Sequence, residues 1–300
     1  MTTRRDFIKA AGTAALLAPW AGNVLAGNKK QLQTRLISGS GESLPIVGYG
    51  NSQAFRNGDL ELSRQLVEIL LDHGGSYIDA GGSSALLLAG IMKERQAREE
   101  LFLGTYIRSL DEAAMLKEAN GVIEAQGGGA LDLVLSANLE EYGANSDKFQ
   151  RLKEAGLTRF VGVARHRQSY HQEMMNLMEA GAVDFVQVNY SLLEPEAEER
   201  LLPMARDKGV AILVNRPFVN GQYFPLVKGH ELPPWAAEFD CHSWAQFSIK
   251  FIVSHPAVTC VLTETSNPRH AADNLAGGIG RLPDEKTRRR MREVIGNLAA

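Results

Sequence analysis

Several polar side chains stand at the close of short apolar runs, where backbone geometry can present them to a ligand. Asp79 closes "SYIDA", Asn138 follows "LDLVLSA", and Arg165 and His166 follow "FVGVA". Asn189 and Tyr190 end "VDFVQVNY", and Arg216 follows "VAILVN". Two arginines facing one pocket would suit a carboxylate or phosphate, because a guanidinium binds such groups through paired N–H donors. Arginines in such places also pair with nearby acids, and both readings stand. Asp79 has a structural use too, since a carboxylate at a strand end can cap the helix that follows. No Ser-His-Asp set, His-x-x-Glu helix or His/Cys cluster with metal-ligand spacing accompanies them.

The elements that must position these side chains alternate strictly. Eight runs read as strands: "LPIVGYG", "SYIDA", "LFLGTYI", "ALDLVLSAN", "TRFVGVA", "VDFVQVNYS", "VAILVN" and "VTCVLT". They are short, rich in Val, Leu and Ile, and apolar on both faces, as strands covered by helices on both sides must be. Helical spacing marks the segments between them, such as "ELSRQLVEILLDHG", "ALLLAGIMKERQ", "DEAAMLKEANGVIEAQ" and "DKFQRLKEAG". Further helices are expected over "YHQEMMNLMEAG", "PEAEERLLPMARDKG", "CHSWAQFSIKFIVSHP", "PRHAADNLAGG" and "PDEKTRRRMREVIGNL". Eight strand–helix units with no Gly-rich phosphate loop predict an α/β fold, a closed parallel eight-stranded (β/α)8 TIM barrel. "TRLISGSGESLPIVG" predicts an N-terminal hairpin that plugs the barrel bottom, and the last segment a C-terminal extra helix. Strand ends would then gather the polar residues on one rim.

Composition agrees with this class. The chain has 300 residues, 44% hydrophobic and 22% charged, with a formal net charge of −3. That balance gives no reason to expect nucleic acid or an anionic membrane surface as partner. No apolar stretch reaches the roughly 18 residues of a membrane span. Cys241 and Cys260 lie far apart in apolar surroundings and are expected to be buried thiols. Trp235 and Trp244 are expected to act as packing anchors, and "KTRRRMR" to form a solvated face.

The first residues, "TTRRDFIKAAGTAALLAPWAGNVLA", resemble a twin-arginine export signal. Arg4 and Arg5 are followed by Phe7, Lys9, an Ala/Leu run and a small-residue cleavage site ending at Ala26. The resemblance implies a signal over 1–26, a single barrel over 27–300, and a periplasmic location. That route carries proteins already folded, some with a cofactor loaded.

"GGSYIDA", "LKEAGLTRFVGVARH", "VDFVQVNYSLLEPEAEERLLPMARDKGVAILVNRPF" and "SHPAVTCVLTETSNPRHAADNL" together resemble the aldo-keto reductases. The resemblance spans nearly all of the chain after the signal. It implies a (β/α)8 barrel and hydride transfer between a nicotinamide cofactor and a carbonyl. In that family a tyrosine gives the proton, a lysine lowers its pKa, an aspartate holds the lysine, and a histidine orients the carbonyl. Asp79 matches the aspartate. The tyrosine position falls on Ser84 in "AGGSSALLLAG", the lysine position on Tyr106, and the histidine position on Ala137. Only the aspartate is retained. Tyr106 could form a structural hydrogen bond with Asp79, or serve as a relocated acid. Against the second use, no lysine depresses its pKa and a nearby carboxylate raises it.

The cofactor positions diverge as well. The Ser-Asn pair reads Ala164-Arg165, the amide-binding glutamine is kept as Gln187, and the stacking aromatic is Asn215. The lysine and arginine that clamp a 2′-phosphate read Glu264 and His270, with Arg269 one position off. Arg216, Thr265, Asp273 and Asn274 remain candidates for cofactor contact. Glu264 would repel a 2′-phosphate, so NADP(H) is disfavoured and NAD(H) is the better candidate, if any cofactor binds. Two functions follow from this set. One is an exported aldo-keto-reductase-like barrel without orthodox reduction, kept as a scaffold for a small molecule or an exported protein. The other is a working NAD(P)-dependent oxidoreductase acting on aldehydes or ketones with a rearranged proton donor. Asn138, Arg165, His166 and Tyr190 are the candidate ligand rim in either case.

Overall fold

A computed structural model describes residues 31–96 and 98–299. The twin-arginine segment expected over 1–26 lies outside them. Among the described residues ten strands form: β1 Thr34–Leu36, β2 Ser43–Pro45, β3 Val47–Tyr49, β4 Tyr77–Gly81, β5 Phe102–Ile107, β6 Leu131–Ser136, β7 Thr158–Ala164, β8 Phe185–Asn189, β9 Ala211–Asn215 and β10 Val258–Thr263. β3 to β10 close into one parallel barrel in the order β10-β3-β4-β5-β6-β7-β8-β9. Eleven helices accompany them: α1 Gln53–Arg56, α2 Leu60–Asp72, α3 Ser83–Arg95, α4 Glu112–Ala125, α5 Leu139–Glu154, α6 His171–Glu179, α7 Leu201–Lys208, α8 Tyr223–Val227, α9 Trp244–Val253, α10 Pro268–Ala276 and α11 Glu285–Ala299. The (β/α)8 barrel expected from the alternation is the fold observed.

Strand parity organises the molecule. Successive side chains point to opposite faces, so each strand feeds two cores. Ile78, Val134, Val161, Val186, Ile212 and Val261 join the large core between barrel and helices. Tyr77, Phe102, Leu133, Leu135, Phe160, Phe185, Leu213, Cys260 and Leu262 fill the barrel interior. The aromatics there pack across strands, Tyr77 stacked on Phe102 with centroids 5.6 Å apart and Phe160 edge-on to Phe185 at 5.4 Å.

The hairpin β1–β2 pairs antiparallel and inserts Ile37 and Leu44 into this interior core, so it does plug the bottom. Arg35 fastens it by donating to the carbonyls of Val253, His255 and Val258. Arg159, over the Phe102 and Phe160 rings, pairs with Glu42 of the hairpin and with buried Asp132.

Helix details differ where the sequence carries interruptions. The helix expected over 195–209 breaks into a short 3-10 turn at Glu196–Glu198 and α7. Pro203 explains the break, because its ring would clash with the carbonyl of residue 199 in a continuous helix, whereas a first-turn position is tolerated. α11 is not a wholly solvated basic face. Arg288 turns inward, donating to the Tyr190 hydroxyl and pairing with Glu198, while Arg289 stays exposed. Both cysteines are buried and free. No helix among the described residues is long and apolar enough to cross a membrane.

Candidate functional site

The parity that sends Tyr77 and Phe102 inward also sends inward the residues two and four positions on. Asp79 stands two above Tyr77 on β4, and Tyr106 four above Phe102 on β5. Gln187 stands two above Phe185 on β8, and Asn215 two above Leu213 on β9. All four line a cavity of about 610 Å³ at the C-terminal ends of the strands. That is within the range of small-molecule sites.

These four side chains form one hydrogen-bonded floor. Gln187 Nε2 donates to Asp79 Oδ2 at 2.6 Å. The Tyr106 hydroxyl lies 2.7 Å from Gln187 Oε1 and 3.0 Å from Asp79 Oδ2, and has one proton to give between them. Asn215 Nδ2 donates to the Arg165 carbonyl at 3.0 Å and to Gln187 Oε1 at 3.3 Å. Asp79 Oδ1, Asn215 Oδ1 and the Tyr77 hydroxyl below are buried without a partner. Gly104 makes the room under this floor. A Cβ there would lie 2.2 Å from the Tyr77 hydroxyl oxygen and 3.6 Å from Asp79 Oδ1.

Burial dominates the electrostatics. Asp79 is 4% exposed, and loss of hydration lifts its carboxyl to about 7, despite the hydrogen bonds from Gln187 and Tyr106 that favour its charged form. Glu264 adds to the rise, and no basic side chain figures among the charges acting on Asp79. Tyr106 is pushed well above the usual phenol value by burial and then by Asp79. Glu264, on the cavity wall above Gly50, is raised by burial and partly offset by Arg56, 3.4 Å away in a half-exposed pair.

The opposite wall is basic and partly matched, with Arg216 Nε buried and without a partner. Arg216 pairs with Glu194 Oε1 at 3.1 Å, and Asn189 Nδ2 takes the other oxygen of Glu194 at 3.0 Å. His166 lies low in pKa through burial and then the neighbouring Arg216, Arg167 and Arg165. The loop after β9 supplies the rest of the wall, including Pro217, Phe218, Asn220 and Phe224. The Phe218 and Phe224 rings sit 4.8 Å apart. Arg216, Val219 and Asn220 all have positive φ, near 50°. For β-branched Val219 that is a strained conformation, of the kind held at functional sites by surrounding structure.

Parity also corrects the expected rim. Arg165, Asn138 and Tyr190 each follow an inward residue and so leave on the outer side. Arg165 pairs with Glu140 and lies over the Tyr170 ring. Asn138 occupies the N-terminal cap position of α5. Tyr190 is fully buried against Phe251, with its hydroxyl between Glu198 and Arg288. None of the three lines the cavity. His166, back in phase, does, and so does Arg216, which follows inward Asn215 but lies beyond the end of β9 at positive φ. Ser84 is buried in the first turn of α3, behind Gly82, and neither it nor Ala137 lines the cavity.

The residues near α10 are placed as follows. Asp273 accepts from Ser243 Oγ and Gln246 Nε2, both at 2.7 Å. Asn274 is buried, Thr265 Oγ1 accepts from the Asn267 amide, and Arg269 and His270 are exposed. Among the described residues, no group of three or more His, Cys, Asp or Glu is placed to hold a metal ion. Sequence reasoning missed Gly50, Asn51 and the whole 217–224 contribution to the wall. Counting parity from the strand apolar runs would have found the first. Nothing in the loop's composition marked the second.

A closed barrel with a polar cluster at the C-terminal mouth is the architecture of a small-molecule site on an α/β enzyme fold. Residues 47–291 match the family model of the aldo/keto reductase family, and the chain belongs to that family. It is similar to the holo form of an aldo-keto reductase from Bacillus halodurans, with 16% identity and a TM-score of 0.72 over 88% of this chain and 96% of that one. It is also similar to an aldo/keto reductase from Klebsiella pneumoniae in complex with NADP and acetate, with 17% identity and a TM-score of 0.67 over 89% and 95%. A third similar structure is an aldo-keto reductase from a Medee basin deep-sea metagenome library, with 18% identity and a TM-score of 0.69 over 87% and 94%.

Proposed function

We propose that this barrel binds a small ligand at its mouth and has given up the carbonyl reduction of its family. One observation carries the reading: the Tyr106 phenol is committed within the cavity floor, and no lysine among the described residues lines the cavity to lower its pKa. The single Tyr106 proton is spent on Gln187 or Asp79, and both Asn215 N–H groups are spent. Carbonyl reduction needs the reverse, a donor aimed at the developing oxyanion and a pKa near working pH. Tyr106 is pushed away from that pKa by its own surroundings.

A nicotinamide dinucleotide held in the family's manner fits these residues poorly. The Gln187 amide is engaged at both ends by Asp79, Tyr106 and Asn215, which leaves little for a carboxamide. Glu264 stands where a phosphate-binding cation would, and Asp273 already serves Ser243 and Gln246. The binding of NADP by the Klebsiella relative is the fact on the other side. The twin-arginine-like start supports export and a periplasmic site of action.

A reductase assay tests the proposal. The purified protein, given NADH or NADPH and a panel of aldehydes and ketones between pH 6 and 8, is expected to show no turnover above background. Turnover that Tyr106→Phe abolishes would replace this reading with a reductase that uses Tyr106 as its acid.

A further inference from the structure

We infer that the cavity takes a dipolar organic ion, with an ammonium at one end, a carboxylate at the other and an apolar linker between them. The inference deepens the binding reading above and rests on it. Its ground is the separation of accessible charge around the mouth, between Glu264 after β10 and Arg216 after β9, both on the cavity lining.

The acidic side is Glu264. Its side chain lies over Gly50, another lining residue, and is 55% exposed. A Cβ on Gly50 would stand 2.8 Å from Glu264 Cγ and 3.0 Å from Oε1, so a glycine there is what lets the carboxylate reach over the mouth. Oε1 accepts no hydrogen bond among the described residues, and Oε2 meets Arg56 Nη1 at 3.4 Å in a pair exposed on both sides. An exposed pair of that kind is weak, and the carboxylate keeps lone pairs for an N–H donor. Asp79, buried beneath, adds negative charge at a distance, and no basic side chain acts on it.

The basic side is Arg216 with His166. Arg216 turns toward Glu194, beyond β8, and gives it Nη2 at 3.1 Å. Its Nε is buried, whereas Nη1 is not and has no partner among the described residues, so Nη1 is the end of the fork left for a ligand. His166 is exposed on the same lining. Arg216, Arg167 and Arg165 act on it against Glu194 alone, so the excess charge on this side is positive. Glu264 is acted on by Arg56 and not by Arg216. The two signs therefore stand apart instead of cancelling in one ion pair. Pro217, Phe218 and Phe224 line the same cavity and offer apolar surface to a linker. A lone carboxylate would share the cavity with Glu264, and a lone ammonium with the arginines. A ligand with both charges meets each side with its opposite.

Three probes with one chain length separate the possibilities: 6-aminohexanoate, hexanoate and hexylammonium, titrated calorimetrically into the full-length chain at pH 7.5. The first is expected to bind at least about fivefold more tightly than either of the others, the gain from one further exposed ion pair. Glu264→Gln is expected to weaken 6-aminohexanoate about fivefold and to leave hexanoate no weaker. Arg216→Gln is expected to weaken 6-aminohexanoate and to leave hexylammonium no weaker. Should Arg216→Gln misfold, the three probes and Glu264→Gln, at a half-exposed position, decide alone. A singly charged probe that binds as tightly as 6-aminohexanoate would overturn the inference. So would a Glu264→Gln variant that binds 6-aminohexanoate unchanged, or that loses hexanoate to the same extent. NADPH is titrated in parallel. If NADPH does not bind and 6-aminohexanoate has no advantage, the dipolar inference fails alone. NADPH binding at micromolar concentration would instead overturn the binding-only reading beneath it.

Discussion

Asp79→Asn is expected to raise the melting temperature by about 5 °C or more at pH 8 and to leave it nearly unchanged near pH 4. The folded protein holds this carboxyl at about 7, against an ordinary value of 3.8. Between those values the folded state keeps a proton that the unfolded chain has released. Stability therefore falls as pH rises from about 4 to about 7, and the full penalty persists above. The gap corresponds to about 4 kcal/mol. Asparagine is the same size, and its carbonyl oxygen can still accept from Gln187 and Tyr106, so the variant removes the charge and little else. Melting curves of both proteins across pH 4 to 8 check this, because other titrations largely cancel in the difference. A variant less stable than the parent at every pH would contradict the assignment of a costly buried carboxyl.

Tyr106→Lys is expected to move the Asp79 titration midpoint downward from about 7 by about 2 or more, because a buried cation within contact favours the carboxylate. Tyr106→Phe runs the other way. It removes a hydrogen bond that favours the charged form, so the midpoint rises. Carbon-13 NMR of the aspartate carboxyl carbon reads both. A midpoint that stays near 7 in Tyr106→Lys would show that position 106 does not govern Asp79.

Much of this was legible in the residues. The Val/Leu/Ile strands between amphipathic helices gave away the barrel, and "SGSGES" the hairpin, because period and turn chemistry are local properties. That Ser84 and Ala137 stand where the resemblance places the family's tyrosine and histidine was legible by position. Which rim residues face the cavity was not: strand parity decides most of them, and Arg216, beyond the end of β9, departs from it. Tyr190 and Arg165 sit one step out of phase with Gln187 and Asn215, and parity turns them away from the cavity. The loop after β9 was opaque for a different reason. Its wall includes Arg216 and Asn220, which with Val219 between them are held at positive φ, conformations that tertiary contacts impose against local preference. The mutual hydrogen bonding of Asp79, Tyr106, Gln187 and Asn215 was also invisible, because it depends on four strands far apart in sequence.

The most direct test of a barrel that has left its family's chemistry is a calorimetric titration of the purified protein with NADH and with NADPH. The Gln187 amide already engaged by its neighbours, and Glu264, predict no binding of either below about 100 μM, a concentration that corresponds to less than about 6 kcal/mol of binding free energy. Micromolar affinity for either dinucleotide would contradict the account and return the protein to the oxidoreductases.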